Sequence, residues 1–320
     1  MIAVELVDEM VEAFLGGLGG PLASYARDLP RVLGLAQDRD CAWSRVFGYE
    51  VTLGAPALVA EAVHPPADIV RDAVLAHALA VIDAFATDRI EDGQVPASPE
   101  LLAVLGCARR QRDRAMIRIF GGPPLPDCDF ALADARVVRA IRRERELLLS
   151  CRPVDMATYE RVSRAKQSPG TIASLALARV GGWEDRRCRA LQRMLEEVAL
   201  GLQTYDDVVD WEADEERGGS WALCLLRGQG PSAFPRGESN SRAVRPRLLQ
   251  SGVLSRMLGR AVRHMASARR LASALGAERL SSWASGRQAR FEVLLRAERR
   301  SAGYTVRAHA LSAWAGEVLA

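Results

Sequence analysis

Three observations predict an all-α fold. Apolar residues recur at helical period through nearly every long segment of the 320-residue chain, and Ala, Leu, Arg and Glu dominate those segments. The interruptions are short and rich in Gly and Pro. No segment alternates strands with helices, which excludes a doubly wound sheet, and there is no glycine-rich phosphate loop. The chain is long enough to bury a full core, and a single domain over residues 1–320 is expected.

A first helix is predicted over residues 4–16, stopped by the Gly-Gly-Leu-Gly-Gly-Pro run at 16–21, and a second over 21–35. Helices at 53–62 and 67–90 are separated by His-Pro-Pro-Ala-Asp at 64–68, whose prolines cannot continue a helix. Helices at 98–118 and 130–149 flank the Gly-Gly-Pro-Pro-Leu-Pro-Asp break at 121–127. Arg152-Pro153 and Gly181-Gly182 set off helices at 156–168, 170–180 and 184–214. The last are predicted at 246–275, 284–300 and near 305–318. Residues 227–244, rich in Gly, Pro, Ser and Arg, read as a flexible surface connection, or as a mobile flap over a phosphate site.

A hydrophobic share of 49%, a charged share of 26% and a net charge of +3 describe a soluble globule. Of 43 basic residues only Lys166 is lysine, so single arginines carry little information and the lysine carries more. The six cysteines, at 41, 107, 128, 151, 188 and 224, and the four histidines form no metal-ligand spacing. Structural zinc, haem attachment and a disulfide framework are therefore not expected, and a cytoplasmic location is. The N-terminus lacks the basic-then-apolar pattern of a signal peptide, and no apolar run is long enough for a membrane span. The basic stretch Arg256–Arg270 reads as a core helix with a solvated arginine face, and nucleic-acid binding is not expected.

Two acidic clusters carry most of the functional information. Asp88, Glu91 and Asp92 share a helix face at spacings of three and four, at the end of an apolar helix. Asp206, Asp210 and Asp214 do the same at steps of four, with Asp207 and Glu212 among them. Aligned like charges repel, so a bound cation makes such stripes tolerable. Two facing stripes would suit Mg2+, which takes oxygen ligands and keeps water and phosphate in its shell. Neither cluster has the spacing of a calcium loop.

These motifs resemble those of the all-α class I isoprenoid synthase superfamily. Asp88-Arg-Ile-Glu91-Asp92 resembles the D-x-x-E-D form of its first aspartate-rich motif, and residues 201–207, GLQTYDD, resemble F-Q-x-x-D-D with Gln203 matching. Asp206, Asp210 and Asp214 also fit the N-D-x-x-S-x-x-x-E triad of bacterial terpene cyclases. The resemblance spans about residues 50–225 and implies a helical bundle with a central cavity. It also implies an allylic prenyl diphosphate substrate, Mg2+ as cofactor (three ions), and, by fold-level analogy, a homodimer. Asp88, Glu91, Asp92, Asp206, Asp207, Asp210 and Asp214 are the implied ligands, with Asp207 alternatively orienting a neighbour. Lys166, then Arg161, Arg164 and Arg217, are the implied diphosphate contacts. Ala84, Phe85 and Gln203 are the implied pocket residues, the small Ala84 suiting a C15 or C20 chain, while Phe85 either caps the cavity or packs in the core.

Departures choose among activities. The basic G-K-R-x-R-P that holds a second diphosphate in elongating synthases is reduced here to Arg39 and Arg45, and the R-R-G after the first motif is missing. The Y-x-x-x-V-A-G of squalene and phytoene synthases is poorly matched at Tyr159. The leading expectation is thus a terpene cyclase acting on one diphosphate. The alternatives are a chain-elongating or condensing synthase, and a non-catalytic helical partner subunit.

Overall fold

The computed structural model describes residues 3–37, 41–47, 49–150, 152–217, 219–229 and 241–318. Sixteen α-helices and one 3-10 turn, with no strand, occur among the described residues. In order they are α1 (Ala3–Gly16), α2 (Gly20–Arg27), α3 (Leu29–Val32), α4 (Trp43–Val46), α5 (Glu50–Val63), α6 (Ala67–Glu91), α7 (Pro99–Phe120) and α8 (Phe130–Leu149). Then come α9 (Met156–Lys166), α10 (Pro169–Val180), α11 (Asp185–Val209), α12 (Trp211–Glu216), α13 (Trp221–Arg227), α14 (Ser241–Ser251), α15 (Val253–Leu275) and α16 (Glu278–Val318). No described helix is long and apolar enough to cross a membrane. The chain forms two compact units: residues 1–142, 165–196 and 270–281, and residues 143–164, 197–269 and 282–320.

The first unit is built around α6. Residues 73–80 of this helix are buried without interruption, so it is enclosed on all sides rather than amphipathic. Five of its buried residues are alanine, which lets α1, α5, α7 and α10 approach closely. Its neighbour α7 is well capped: Ser98 accepts a hydrogen bond from the Leu101 N–H at 3.1 Å, Pro99 opens the helix, and Gly121 closes it at φ 64°. The effect is to hold the last turn of α6 on a rigid helix pair.

The second unit has its own core, in which Tyr159, Val208, Trp211, Trp221, Leu223 and Met257 are buried together. The Trp221 ring meets Tyr159 edge-on, with centroids 5.2 Å apart. Tyr205 stacks on Phe291 at 4.6 Å. Trp211 and Trp221 are thus packing residues.

Most predicted helices appear within a few residues of their expected bounds. The 21–35 helix divides at Asp28 into α2 and α3, with Pro30 in the first turn of the latter. The 184–214 helix divides at Asp210 into α11 and α12. Gly252, at φ 68°, separates α14 from α15. Conversely, the two last predicted helices are one 41-residue helix. The short α4 and α13 were not expected; Trp221–Leu226 is buried at every residue, leaving no polar face for periodicity to detect. Residues 230–240 of the proposed flap lie outside the described residues, as does Arg39.

Candidate active site

Asp210 and Asp214 lie at the N-terminus of α12, whereas the first acidic cluster and, in the second, Asp206 and Asp207 stand at helix C-termini, where the macrodipole already disfavours negative charge. Carboxylates placed there against the local field need cations, and the two units supply them differently.

In the first unit, Lys166 at the end of α9 reaches Asp88 on α6 across 78 residues of sequence. Its Nζ donates to Asp88 Oδ2 at 3.3 Å and stands 3.1 Å from Oδ1. The side chains are 15% and 25% exposed, so this is a half-buried pair with room for solvent or ligand. Asp88 Oδ1 is itself buried yet receives no well-aligned hydrogen bond. One turn on, Glu91 accepts from Arg142 at 3.4 Å. Asp92 caps α6, its N–H bonded to the Asp88 carbonyl, and Gly93 at φ 70° turns the chain away. Ala84 is half-buried on the same helix. Phe85, partly buried, packs edge-on against Phe47 at 5.4 Å, beneath the Arg89 guanidinium.

The neighbouring Asp83 is buried and accepts both oxygens' bonds from Arg109 at 3.0 and 2.9 Å. Burial raises its pKa and the Arg109 hydrogen bond opposes that rise. Arg112, also buried, forks onto Asp134 at 3.0 and 2.9 Å. This network locks α6 against α7 and α8 below the Asp88 turn.

In the second unit, Asp206 lies in the last turn of α11, Asp210 at the junction, and Asp214 in α12. The expected register survives the helix break, because the Asp210 N–H bonds the Asp206 carbonyl at 2.8 Å and the Asp214 N–H bonds that of Asp210 at 2.9 Å. Burial first, then repulsion from Asp210 and Asp214, pushes the Asp206 carboxyl up to about 7. Arg217, expected at the diphosphate, stands 3.6 Å from Asp214 Oδ1.

Asp207 faces the core instead. Its Oδ2 accepts from the Tyr159 hydroxyl at 2.6 Å and its Oδ1 from Gln203 Nε2 at 2.9 Å. Burial lifts Asp207 to about 7 against those two hydrogen bonds, and Tyr159 is raised well above its usual value, by burial first. Both Asp207 oxygens are thus engaged by side chains of the same unit, the arrangement expected of the orienting alternative. Gln203, expected at the pocket, is partly buried and donates to Asp207. Behind them, Trp221 Nε1 donates to Glu144 at 2.7 Å. Of the expected cations on α9, Arg161 is exposed and bonds only Thr158 Oγ1 at 3.2 Å, and Arg164 is half-buried.

Among the described residues no three His, Cys, Asp or Glu side chains converge as a closed ligand set. The donors nevertheless fit Mg2+, which is held by one or two carboxylates and completes its shell with water and phosphate oxygens. Asp88 Oδ1, ion-paired with Lys166 but without a hydrogen bond, and a crowded, burial-raised Asp206 are donors of that kind.

No protein-family model and no curated protein matches the chain. Solved structures do. The geranylgeranyl pyrophosphate synthase of Lactobacillus brevis ATCC 367 is similar with a TM-score of 0.69 at 10% identity, over 89% of this chain and 96% of that one. The polyprenyl synthetase of Streptomyces coelicolor A3(2) gives 0.62 at 14% identity, over 89% and 97%. The Caulobacter crescentus CB15 polyprenyl synthase, complexed with calcium and isoprenyl diphosphate, gives 0.57 at 18%, over 89% and 97%. At these identities the likeness is one of fold: the chain has the all-α fold of the class I isoprenoid synthases.

Proposed function

We propose that this protein is a Mg2+-dependent enzyme that ionises an allylic prenyl diphosphate and transfers the prenyl group to a second isoprenoid. The observation that carries it is the Lys166–Asp88 pair, since a lysine and a carboxylate matched to diphosphate-binding motifs are in contact across 78 residues of sequence. Prenyl transfer is preferred over the cyclisation expected from sequence because the similar folds are those of polyprenyl and geranylgeranyl synthases. Cyclisation of one diphosphate stays as the second reading, favoured by the missing G-K-R-x-R-P and R-R-G motifs.

In this reading Asp88 and Asp92, with Glu91, would hold Mg2+ in the first unit, and Asp206, Asp210 and Asp214 would hold it in the second; bound Mg2+ would supply positive charge for a departing diphosphate. Lys166, already beside Asp88, turns an ammonium hydrogen toward the same diphosphate. The C–O bond breaks and its electron pair leaves with diphosphate; the π electrons of the second isoprenoid's double bond form the new C–C bond to the allylic cation, and loss of a proton from the resulting cation restores a double bond. Tyr159 and Gln203 hold Asp207 still, and so fix the turn of α11 from which Asp206 projects.

The test is incubation with geranyl, farnesyl and geranylgeranyl diphosphates, each with and without isopentenyl diphosphate, in Mg2+ and in EDTA, with products read by mass spectrometry. Longer diphosphates formed only with isopentenyl diphosphate and Mg2+ support transfer. A cyclic hydrocarbon or alcohol from one substrate alone would replace it with the cyclase reading. Absence of diphosphate release throughout would favour the non-catalytic subunit.

A further inference from the structure

The arginine-rich helices of the second unit are not used by the proposed chemistry. Within this unit, residues 253–269 of α15 and 282–303 of α16 carry nine arginines and two glutamates. Of the chain's 43 basic and 40 acidic residues, that leaves 34 basic against 38 acidic elsewhere. A compositional preference for arginine over lysine does not explain this segregation, because it does not remove acids from these two helix segments.

Placement sharpens the point. On α15, Met257, Ala261, His264 and Ala268 face the core, while Arg256 and Arg263 are exposed on the opposite side. On α16, Phe291 and Leu295 are buried, and Arg290, Val293 and Arg300 recur on the outward face at steps of three and seven. Arg263, Arg290, Arg296, Arg299 and Arg300 have no hydrogen-bond or ion-pair partner among the described residues. Two apolar side chains stand among them, Val293 at 55% and Leu294 at 37% exposed. On α16, exposed apolar groups flanked by Arg290, Arg296 and Arg300 at helical spacing match a lipid interface: the arginines meet anionic headgroups and the apolar side chains enter the acyl boundary. A nucleic-acid surface would place bare cations or aromatic rings there, not aliphatic ones.

We propose that the outward faces of α15 and α16 in this unit dock on an anionic lipid bilayer. The inference does not depend on the catalytic reading and is tested without substrate. The full chain is co-sedimented with phosphatidylglycerol-containing vesicles and with pure phosphatidylcholine vesicles, across a salt series. The expected result is binding to the anionic vesicles that weakens as salt rises. The triple variant Arg290→Gln, Arg296→Gln, Arg300→Gln lowers that binding about tenfold or more. The variant Val293→Ser, Leu294→Ser lowers it while leaving the salt slope in place. Circular dichroism and the melting temperature establish that both variants fold, these residues being exposed; were either unfolded, Arg299→Gln with Arg263→Gln, on the same unit, carries the same expectation. Equal sedimentation with both lipids, or no loss in the folded charge variants, would overturn the proposal. Tighter binding to a DNA duplex than to anionic vesicles, lost in the same arginine variant, would overturn it in favour of a nucleic-acid surface.

Discussion

The C-terminal turns of α6 and α11 present the same chemical problem with different solutions. On α6, Asp88 is met by Lys166 and Glu91 by Arg142, so the charge against the helix dipole is offset by cations from elsewhere in the same unit. On α11, Asp206 is crowded by Asp210 and Asp214, and its carboxyl rises to about 7. Its neighbour Asp207 is steadied by neutral donors, Tyr159 and Gln203, rather than by a cation. The α6 turn is therefore electrostatically complete as it folds, and the α11 turn is primed to gain most from an added ion. An added cation would relieve repulsion at the α11 turn, whereas at the α6 turn the lysine already faces the carboxylate.

The largest expected effect tests the unrelieved side. Asp206→Asn should lower kcat with the allylic diphosphate by on the order of 10²–10³-fold, while raising stability in the absence of Mg2+ because it removes a crowded charge. Loss of activity without any gain in metal-free stability would deny the contrast between the two turns. Its mirror is Lys166→Met, for which a loss of about 10²-fold in kcat/KM is expected, now with reduced stability because Asp88 is left half-buried and unpaired. Combining Lys166→Met with Asp88→Asn should restore the stability and not the activity, as read by thermal melts and steady-state kinetics.

Next in size is Tyr159→Phe. The Asp207 carboxyl then keeps only the Gln203 bond, and about 1–3 kcal/mol of stability is expected to go, as for a hydrogen bond to a charged group. On the proposed role of Asp207 in orienting the turn that carries Asp206, the Mg2+ concentration for half-maximal activity should rise about tenfold. A purely structural tyrosine would change the melting temperature and leave the Mg2+ dependence where it was.

The pH dependence separates the same two regions. A carboxyl raised to about 7 in the folded state holds its proton while the unfolded chain loses it near its ordinary value. The contribution of Asp206 and Asp207 to metal-free stability is therefore present in acid and lost as pH rises through about 7. His77, buried in the first unit, is lowered to about 4, chiefly by burial, and has the opposite sign: its contribution is lost as pH falls through about 4. The difference in stability between wild type and Asp206→Asn isolates the first effect, and it should grow in favour of the variant between about pH 4 and 7. Mg2+ with inorganic diphosphate should flatten the wild-type curve.

What was legible in the sequence follows from what is local. The α6 helix, its length and the register of Asp88, Glu91 and Asp92 lie in one apolar run that ends at a glycine. The break at Asp210 was not legible, because the i to i+4 hydrogen bonds continue through it and leave the side-chain period intact. The inward turn of Asp207 depends on Tyr159, 48 residues earlier on another helix, and a buried tyrosine has no local signature that distinguishes it from a packing residue. Lys166 was singled out by scarcity and by resemblance, while its contact with Asp88 is a property of the tertiary fold alone.

That distinction sets the smallest prediction. Arg161 and Arg164 share their charge and helix with Lys166, the first candidate, but Arg161 is exposed and spends its guanidinium on Thr158, one turn back on the same helix. Arg161→Ala should change kcat/KM by less than about twofold and stability by less than about 0.5 kcal/mol, as for an exposed surface substitution. A larger loss would mean that α9 presents more than one cation to the diphosphate, and that the offset of charge at the α6 turn extends well beyond a single lysine. With Arg161 silent and Lys166 essential, the contrast rests on contact geometry rather than on the basic character of the helix.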